Sequence, residues 1–361
     1  MKPLRTKTFL RLLFLLAVLL LAACQNTNQQ NKSGNEITDM LGRKVFVPEK
    51  VERIVGIRAG ALRLISYMNA AQYVVGVEET EKQFARPYNM SHPHFKSLPS
   101  IGPMMGGDAE MIVASHPDVI FITYTTVGDA DALQQKTGIP VVAIDATEMA
   151  TAADTLFASL KLMGKILNRS TRVDSLITFI KNNIEELNSR TANIPTDEKP
   201  TVYAGGLSYS GAHGLLSTHA YFPPFVFVNA QNVLASINLQ IVSHVKGTFI
   251  DAEQLLAWNP DVIFIDQAGY QLVQADLETG WYNNINALKN KRVHYLFPHN
   301  NYATNYELVL MNAWLVGKTL YPDSFADIDL NKKFDEISQG FLQCNFGQII
   351  DSTNNYFYNA R

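Results

Sequence analysis

One segment of this chain occurs twice. Residues 108–122 read DAEMIVASHPDVIFI and residues 251–265 read DAEQLLAWNPDVIFI, identical at ten of fifteen positions and 143 residues apart. A solenoid would repeat every few tens of residues, so two copies at this distance predict two lobes built on one plan. Each copy can be read physically. Asp108 or Asp251 suits a helix N-cap, and the Glu two positions later complements the first turn. A short packed helix follows, and Pro117 or Pro260 stops it. The run Val-Ile-Phe-Ile then has the continuous apolar character of a parallel strand covered on both faces.

Further apolar runs extend the scheme. In the first lobe RIVGI (53–57), YVVGV (73–77), VIFIT (119–123) and VVAID (141–145) read as buried strands, with helical spacing over Ala61 to Met68 and Asp129 to Lys136. In the second, TVYAGG (201–206), VIFID (262–266) and RVHYLF (292–297) play the same part. Alternating strands and helices predict α/β lobes with parallel sheets and right-handed crossovers. Between the lobes, Leu156, Leu160, Met163 and Leu167 form one helical stripe. Val173, Leu176, Ile177, Ile180, Ile184 and Leu187 form a second, after a break near 168–171. The expected organisation is a leader at 1–23, a polar tether at 24–35 and an N-terminal lobe at 36–148. A stiff connector helix at 149–169, a C-terminal lobe at 170–345 and a tail at 346–361 complete it.

The leader is legible by itself. Lys2, Arg5, Lys7 and Arg11 precede an apolar run from Leu12 to Leu21, too short for a stable membrane span. The ending Leu21-Ala22-Ala23-Cys24 resembles the bacterial lipobox, in which the cysteine is acylated and anchors the mature chain to the cell envelope. The mature part keeps 26 basic residues against 33 acidic ones, a net −7, which argues against nucleic acid as a partner. Apart from Cys24 there is only Cys344, so neither a disulfide scaffold nor a zinc site on paired cysteines is available.

After the tether, ITDMLGRKVFVPEKVERIVGI (37–57), together with the doubled Glu-x-x-x-Ala-x-x-Pro-Asp element, resembles class III periplasmic solute-binding proteins. Those serve ABC importers of iron-siderophores, haem and cobalamin. The resemblance covers residues 36–345. It implies two Rossmann-like lobes joined by a single long connector helix, a monomer with no resident cofactor, and a ligand held between the lobes. It also implies that Glu110 and Glu253 dock onto a permease dimer coupled to its ATPase. First-turn complementation of the helix dipole is the alternative for both glutamates, and their occurrence in both copies favours docking.

Ligands of open α/β sheets bind beyond the carboxyl ends of the strands. That rule selects loops containing Arg58, Arg86, Tyr88, Tyr124, Tyr209, His213, Tyr270, His299 and Tyr302. The arginines suit anionic oxygens, and the tyrosines suit an aromatic or planar ligand. His213, His299 and Tyr302 are candidates to touch a chelated metal. An iron chelate or haem is the expected ligand, with cobalamin or an oxyanion such as molybdate as alternatives. The ending LYPDSFADIDL (320–330) resembles the oxyanion-binding branch. His92-Pro93-His94 is too isolated for a metal clip, and His116 is Asn259 in the second copy. No Gly-x-Ser-x-Gly, His-Glu-x-x-His or spaced pair of catalytic carboxylates occurs, so an enzyme is not expected. A hydrolase built on SYSGAH (208–213) and a scaffold lipoprotein without transport are the distant alternatives.

Overall fold

The computed structural model describes residues 34–236 and 247–347. The leader, Cys24, most of the tether and the end of the tail lie outside the described residues. The chain opens on an antiparallel hairpin, β1 (Gly34–Thr38) and β2 (Lys44–Pro48). Its turn accounts for the Asp-x-x-Gly-Arg pattern. Asp39 Oδ1 accepts from the backbone N–H of Leu41 and Arg43, and Arg43 returns to Asp39 Oδ2 at 2.9 Å. Gly42 takes φ 78°, where a Cβ would be strained. Arg43 also donates to the Val141 carbonyl, which pins the hairpin to the first lobe.

The remaining strands are β3 (Ile54–Ile57), β4 (Val74–Gly76), β5 (Val119–Ile122), β6 (Val141–Ala143), β7 (Thr201–Gly205), β8 (Ser217–Thr218), β9 (Gln231–Asn232), β10 (Thr248–Phe249), β11 (Val262–Asp266) and β12 (Val293–Leu296). The principal helices are α1 (Ala61–Tyr67), α2 (Ala109–Ala114), α3 (Ala153–Ile166), α4 (Ser170–Thr191), α5 (Ala252–Trp258), α6 (Tyr306–Leu320) and α7 (Leu330–Leu342). Two parallel sheets result, in the orders β4-β3-β5-β6 and β12-β11-β7-β9. Numbered by chain order within its own lobe, each sheet reads 2-1-3-4. These are two Rossmann-like lobes on one plan, and the strands of the repeat, β5 and β11, hold the same place in each. Both are buried along their whole length, as their unbroken apolar character requires.

The helix half of the repeat is also duplicated in detail. Asp108 caps α2 by accepting from the N–H of Glu110 and Met111, and Asp251 caps α5 by accepting from Gln254. Each unit then turns through a left-handed residue just before the proline, His116 at φ 47° and Asn259 at φ 46°. The shared backbone need explains why the histidine is not retained in the second copy.

The long connector helix lies further along than the expected 149–169: α3 ends at Ile166, Asn168 turns at φ 53°, and the 22-residue α4, about 33 Å at 1.5 Å per residue, packs back on α3 as a hairpin and runs on towards β7. A Cβ on Gly164 would come within 2.6 Å of Val173 Cγ2, so glycine lets α3 and α4 approach closely. The largest apolar cluster runs through this hairpin from Ile54 of the first lobe to Leu310 and Phe341 of the second. Buried Trp314 donates to Asn183 at 3.0 Å and fastens α6 to α4. Among the described residues, no helix is long and apolar enough to cross a membrane.

Candidate functional site

In each lobe the chain order of the strands reverses direction between the first and third strands, and the crevice outside their carboxyl ends is where such sheets take ligands. In the first lobe this places Arg58 after β3 and Tyr124 after β5. Both are left-handed, at φ 67° and 45°. Arg58 donates to the Tyr124 carbonyl at 2.6 Å, lies 3.8 Å from Asp129, and keeps its buried Nε without a partner. The Tyr124 side chain is 54% exposed, with Met104 and Met105 also open at the rim.

The second lobe supplies the polar floor. Asp266, last residue of β11, is fully buried, and its Oδ2 lies 3.3 Å from His299 Nδ1. That is ion-pair distance, although neither atom is aligned for a hydrogen bond. His219 Nδ1 lies 3.6 Å from Oε1 of Glu148, which reaches across from the segment after β6. Tyr209 tilts over His219 at 6.4 Å, and Phe222 over His299 at 5.6 Å. Burial pushes the Tyr209 phenol up, helped by Glu148 and Asp266 nearby. Burial likewise raises Glu148, against the pull of the Thr151 hydroxyl and of His299. Two imidazoles, each with a carboxylate beside it, thus lie near one another, close enough for His299 to act on both His219 and Glu148.

Burial lowers His219 to about 4; the Tyr221 backbone opposes this and His299 adds to it. Between that value and the ordinary 6.5, the unfolded chain binds a proton that the fold refuses. Stability therefore falls on acidification through this window. Relative to His219→Asn, the parent should lose on the order of 3 kcal/mol from pH 7 to pH 4, from about 2.5 units at 1.36 kcal/mol each. Urea unfolding of both proteins across that range measures it; parallel pH profiles would disprove it.

A third group of residues joins the lobes. Arg63 of α1, fully buried, donates to Asn305 Oδ1 at 3.0 Å and to the Asn301 carbonyl at 2.9 Å. Arg86 donates to Asn301 Oδ1 and stacks on the Tyr302 ring at 5.0 Å. Tyr302 donates to Glu78 at 2.7 Å, and Tyr306 donates to the Thr147 carbonyl at 2.7 Å. A Cβ on Gly60 would meet Ala146 and Ala303 at 3.2 Å, which shows how tightly the loop from His299 to Asn305 presses on the first lobe.

Of the residues expected in the cleft, Arg58 and Tyr124 closely follow β3 and β5, and Tyr209 and His299 lie in the loops after β7 and β12. Arg86 and Tyr88 are buried instead. Tyr88 is 0% exposed and donates to Glu81, and Arg86, 3% exposed, is held by Glu81, Thr80 and Asn301. Their loop folds inwards because a buried arginine and a buried carboxylate satisfy each other there. Tyr270 packs on Tyr295 of its own lobe. The three candidate metal contacts do not converge: Tyr302 engages Glu78, His299 faces Asp266, and His213 Nε2 lies 2.8 Å from the Tyr209 carbonyl. Among the described residues, no group of three His, Cys, Asp or Glu is arranged to hold a metal ion. Ser208 of SYSGAH donates to the Gly211 carbonyl, and His213 is taken up by Tyr209. Glu78, Glu148, His219 and Asp266 were not singled out in the sequence, although Glu78 and Asp266 stand at carboxyl ends of recognised strands. Glu110 and Glu253 are both exposed, in the first turns of α2 and α5.

Comparison with known proteins gives a consistent picture. A family model described as "Periplasmic binding protein" matches residues 62–299. The molybdate-binding protein MolA of Haemophilus influenzae is 27% identical over 337 residues, covering 86% of this chain and 91% of its own. The solved structure of MolA bound to molybdate superposes with a TM-score of 0.69 at 24% identity, covering 86% of this chain and 99% of that one. A periplasmic solute-binding protein from Veillonella parvula DSM 2008 gives 0.69 at 19% identity, covering 91% and 97%. These superpositions establish the fold.

Proposed function

Since the chain belongs to the periplasmic binding protein family and is thereby the substrate-binding component of an ABC importer, we propose that it captures a small oxyanion between its lobes. This choice departs from the iron chelate favoured by the sequence. The pairing of His219 with Glu148 and of His299 with Asp266 carries it. Both imidazoles are buried with an Nδ1 that has no hydrogen-bond partner, and an arriving anion would raise His219 by opposing the desolvation that holds it low. Arg58 adds a fixed positive charge from the other lobe. Arg86 and Tyr88, which would have served a large aromatic chelate, are spent in the core. The likeness to a molybdate-binding protein supports the same reading. Delivery would run through Glu110 and Glu253 to the permease, with acylated Cys24 holding the protein at the outer face of a membrane.

The exposed Tyr124, Met104 and Met105 at the rim favour a second reading, a larger ferric chelate. Calorimetric titration of the full chain with molybdate, sulfate, a ferric siderophore and haemin separates the two. Saturable binding of molybdate is expected, weakened about 10- to 100-fold in His219→Ala, as for loss of a hydrogen bond to a charged group. Binding of the ferric chelate with no molybdate heat would replace the first reading by the second.

A further inference from the structure

Glu78 is the first residue after the β4 end of the sheet that is both acidic and buried, at 1% exposure, and none of its hydrogen-bond donors is a positively charged side chain. Its Oε2 accepts from the Arg58 backbone N–H at 3.2 Å and from the Tyr302 hydroxyl of the opposite lobe at 2.7 Å. Its Oε1 accepts from the Gly106 N–H at 3.0 Å. The Tyr302 oxygen in turn accepts from the Met105 N–H at 3.1 Å. One carboxylate therefore holds the loop after β3, the loop before α2 and a tyrosine from the other lobe. The backbone around it is strained: Arg58, Met105, Tyr302 and Ala303 lie at φ 67°, 70°, 54° and 66°. Non-glycine residues persist in this region only where their surroundings over-determine them, and such residues gather at clamps and switches.

The loop it holds is short and leads directly to the repeat helix. Asp108 N–H donates to the Ile101 carbonyl at 2.7 Å, Glu79 N–H donates to the Gly102 carbonyl at 3.0 Å, and Asp108 then caps α2 at Glu110 and Met111. We propose that Glu78 is a positioning residue which, with Tyr302, latches the lobes across the mouth of the cleft and ties that latch to the N-terminus of the helix bearing Glu110. Opening of the mouth and displacement of α2 are then one event. Its use in transport rests on Glu110 being a permease contact; the latch itself does not.

Hydrogen exchange followed by NMR on the ligand-free full chain tests it. Tyr302→Phe removes the acceptor of the Met105 N–H and the donor to Glu78 while keeping the ring over Arg86. Exchange at Met105 and Gly106 should quicken about tenfold, as expected for local opening on loss of a hydrogen bond to a charged group, with β5 amides unchanged. Glu110 and Met111 should quicken as well, by a smaller factor. Glu78→Gln, which keeps volume and loses charge, should show the same pattern and extend it to Arg58. Parental rates at Met105 and Gly106 in both variants would overturn the latch. Faster exchange there with Glu110 and Met111 unchanged would overturn its tie to the helix. Neither readout depends on which ligand binds, and uptake by Glu110 variants tests the docking reading separately.

Discussion

Replacing Arg63 by Met should lower the unfolding free energy by about 3–5 kcal/mol, the range for removing one partner of a buried charged network. The guanidinium is fully buried, spans the lobes through Asn301 and Asn305, and lies 4.7 Å over the Tyr88 ring. Glu307 of α6 is equally buried. Burial pushes its carboxyl up, while the Tyr67 hydroxyl and the Arg63 charge pull it down. Without Arg63 that carboxylate must either stay charged in a poor medium or take a proton, and Asn305 loses its donor. Methionine fills much of the volume, so the effect reports lost polar contacts more than a cavity. Urea unfolding of the parent, Arg63→Met, Glu307→Gln and the double variant measures it. The double variant should recover part of the loss, because both ends of the interaction are then neutral. A single-variant effect under about 1 kcal/mol would show that the network is not holding the lobes.

The largest functional effect is expected from Glu110→Ala combined with Glu253→Ala, which should reduce uptake in cells to background while leaving ligand affinity within about twofold. Both side chains are exposed, both stand in the first turn of a capped helix, and both belong to the element that the two lobes share at ten of fifteen positions. As first-turn glutamates they are worth about 0.3–1 kcal/mol to their helices, too little to unfold either lobe. Rim charges mainly steer and register a partner, so each single variant should slow uptake partially. Transport assays with matched calorimetry decide the matter. Full uptake by the double variant would reduce both residues to helix-dipole partners.

How much of this was legible from the sequence depended on the range over which each feature is decided. The strands around Ile54–Ile57, Val119–Ile122 and Val262–Asp266 were readable because a fully buried parallel strand is apolar at every position. The caps and the Pro-terminated turns were readable because they are settled within four residues. β9 was not, since Gln231–Asn232 has only two residues and no apolar pattern. Side-chain destinations in the cleft loops were least legible. Arg86 and Tyr88 lie in the loop the strand rule selects, yet Asn301, 215 residues away, and a neighbouring buried glutamate decide where they point. The break near 168–171 was visible, but whether α3 or α4 is the longer crossing element depends on packing against α6 and α7. Histidines were judged by whether they directly follow a strand, and so His219, beyond the loop selected after TVYAGG, was passed over.

The common 2-1-3-4 order of the two sheets bears on how the molecule is handed to a two-fold partner. A partner that gripped only the capped helices could not tell one end of this protein from the other, because α2 and α5 offer it the same glutamate from the same backbone. The proposed cargo site, however, is asymmetric, with Arg58 and Tyr124 on one side and His219, His299 and Asp266 on the other. Two placements that look alike from the contact points would therefore deliver the cargo with opposite faces leading. Whatever breaks the tie must lie where the copies diverge: Met111 and Val113 stand exposed on α2 where α5 carries Gln254 and Leu256. Handedness of delivery, on this view, is written in the residues of the repeat that did not stay the same.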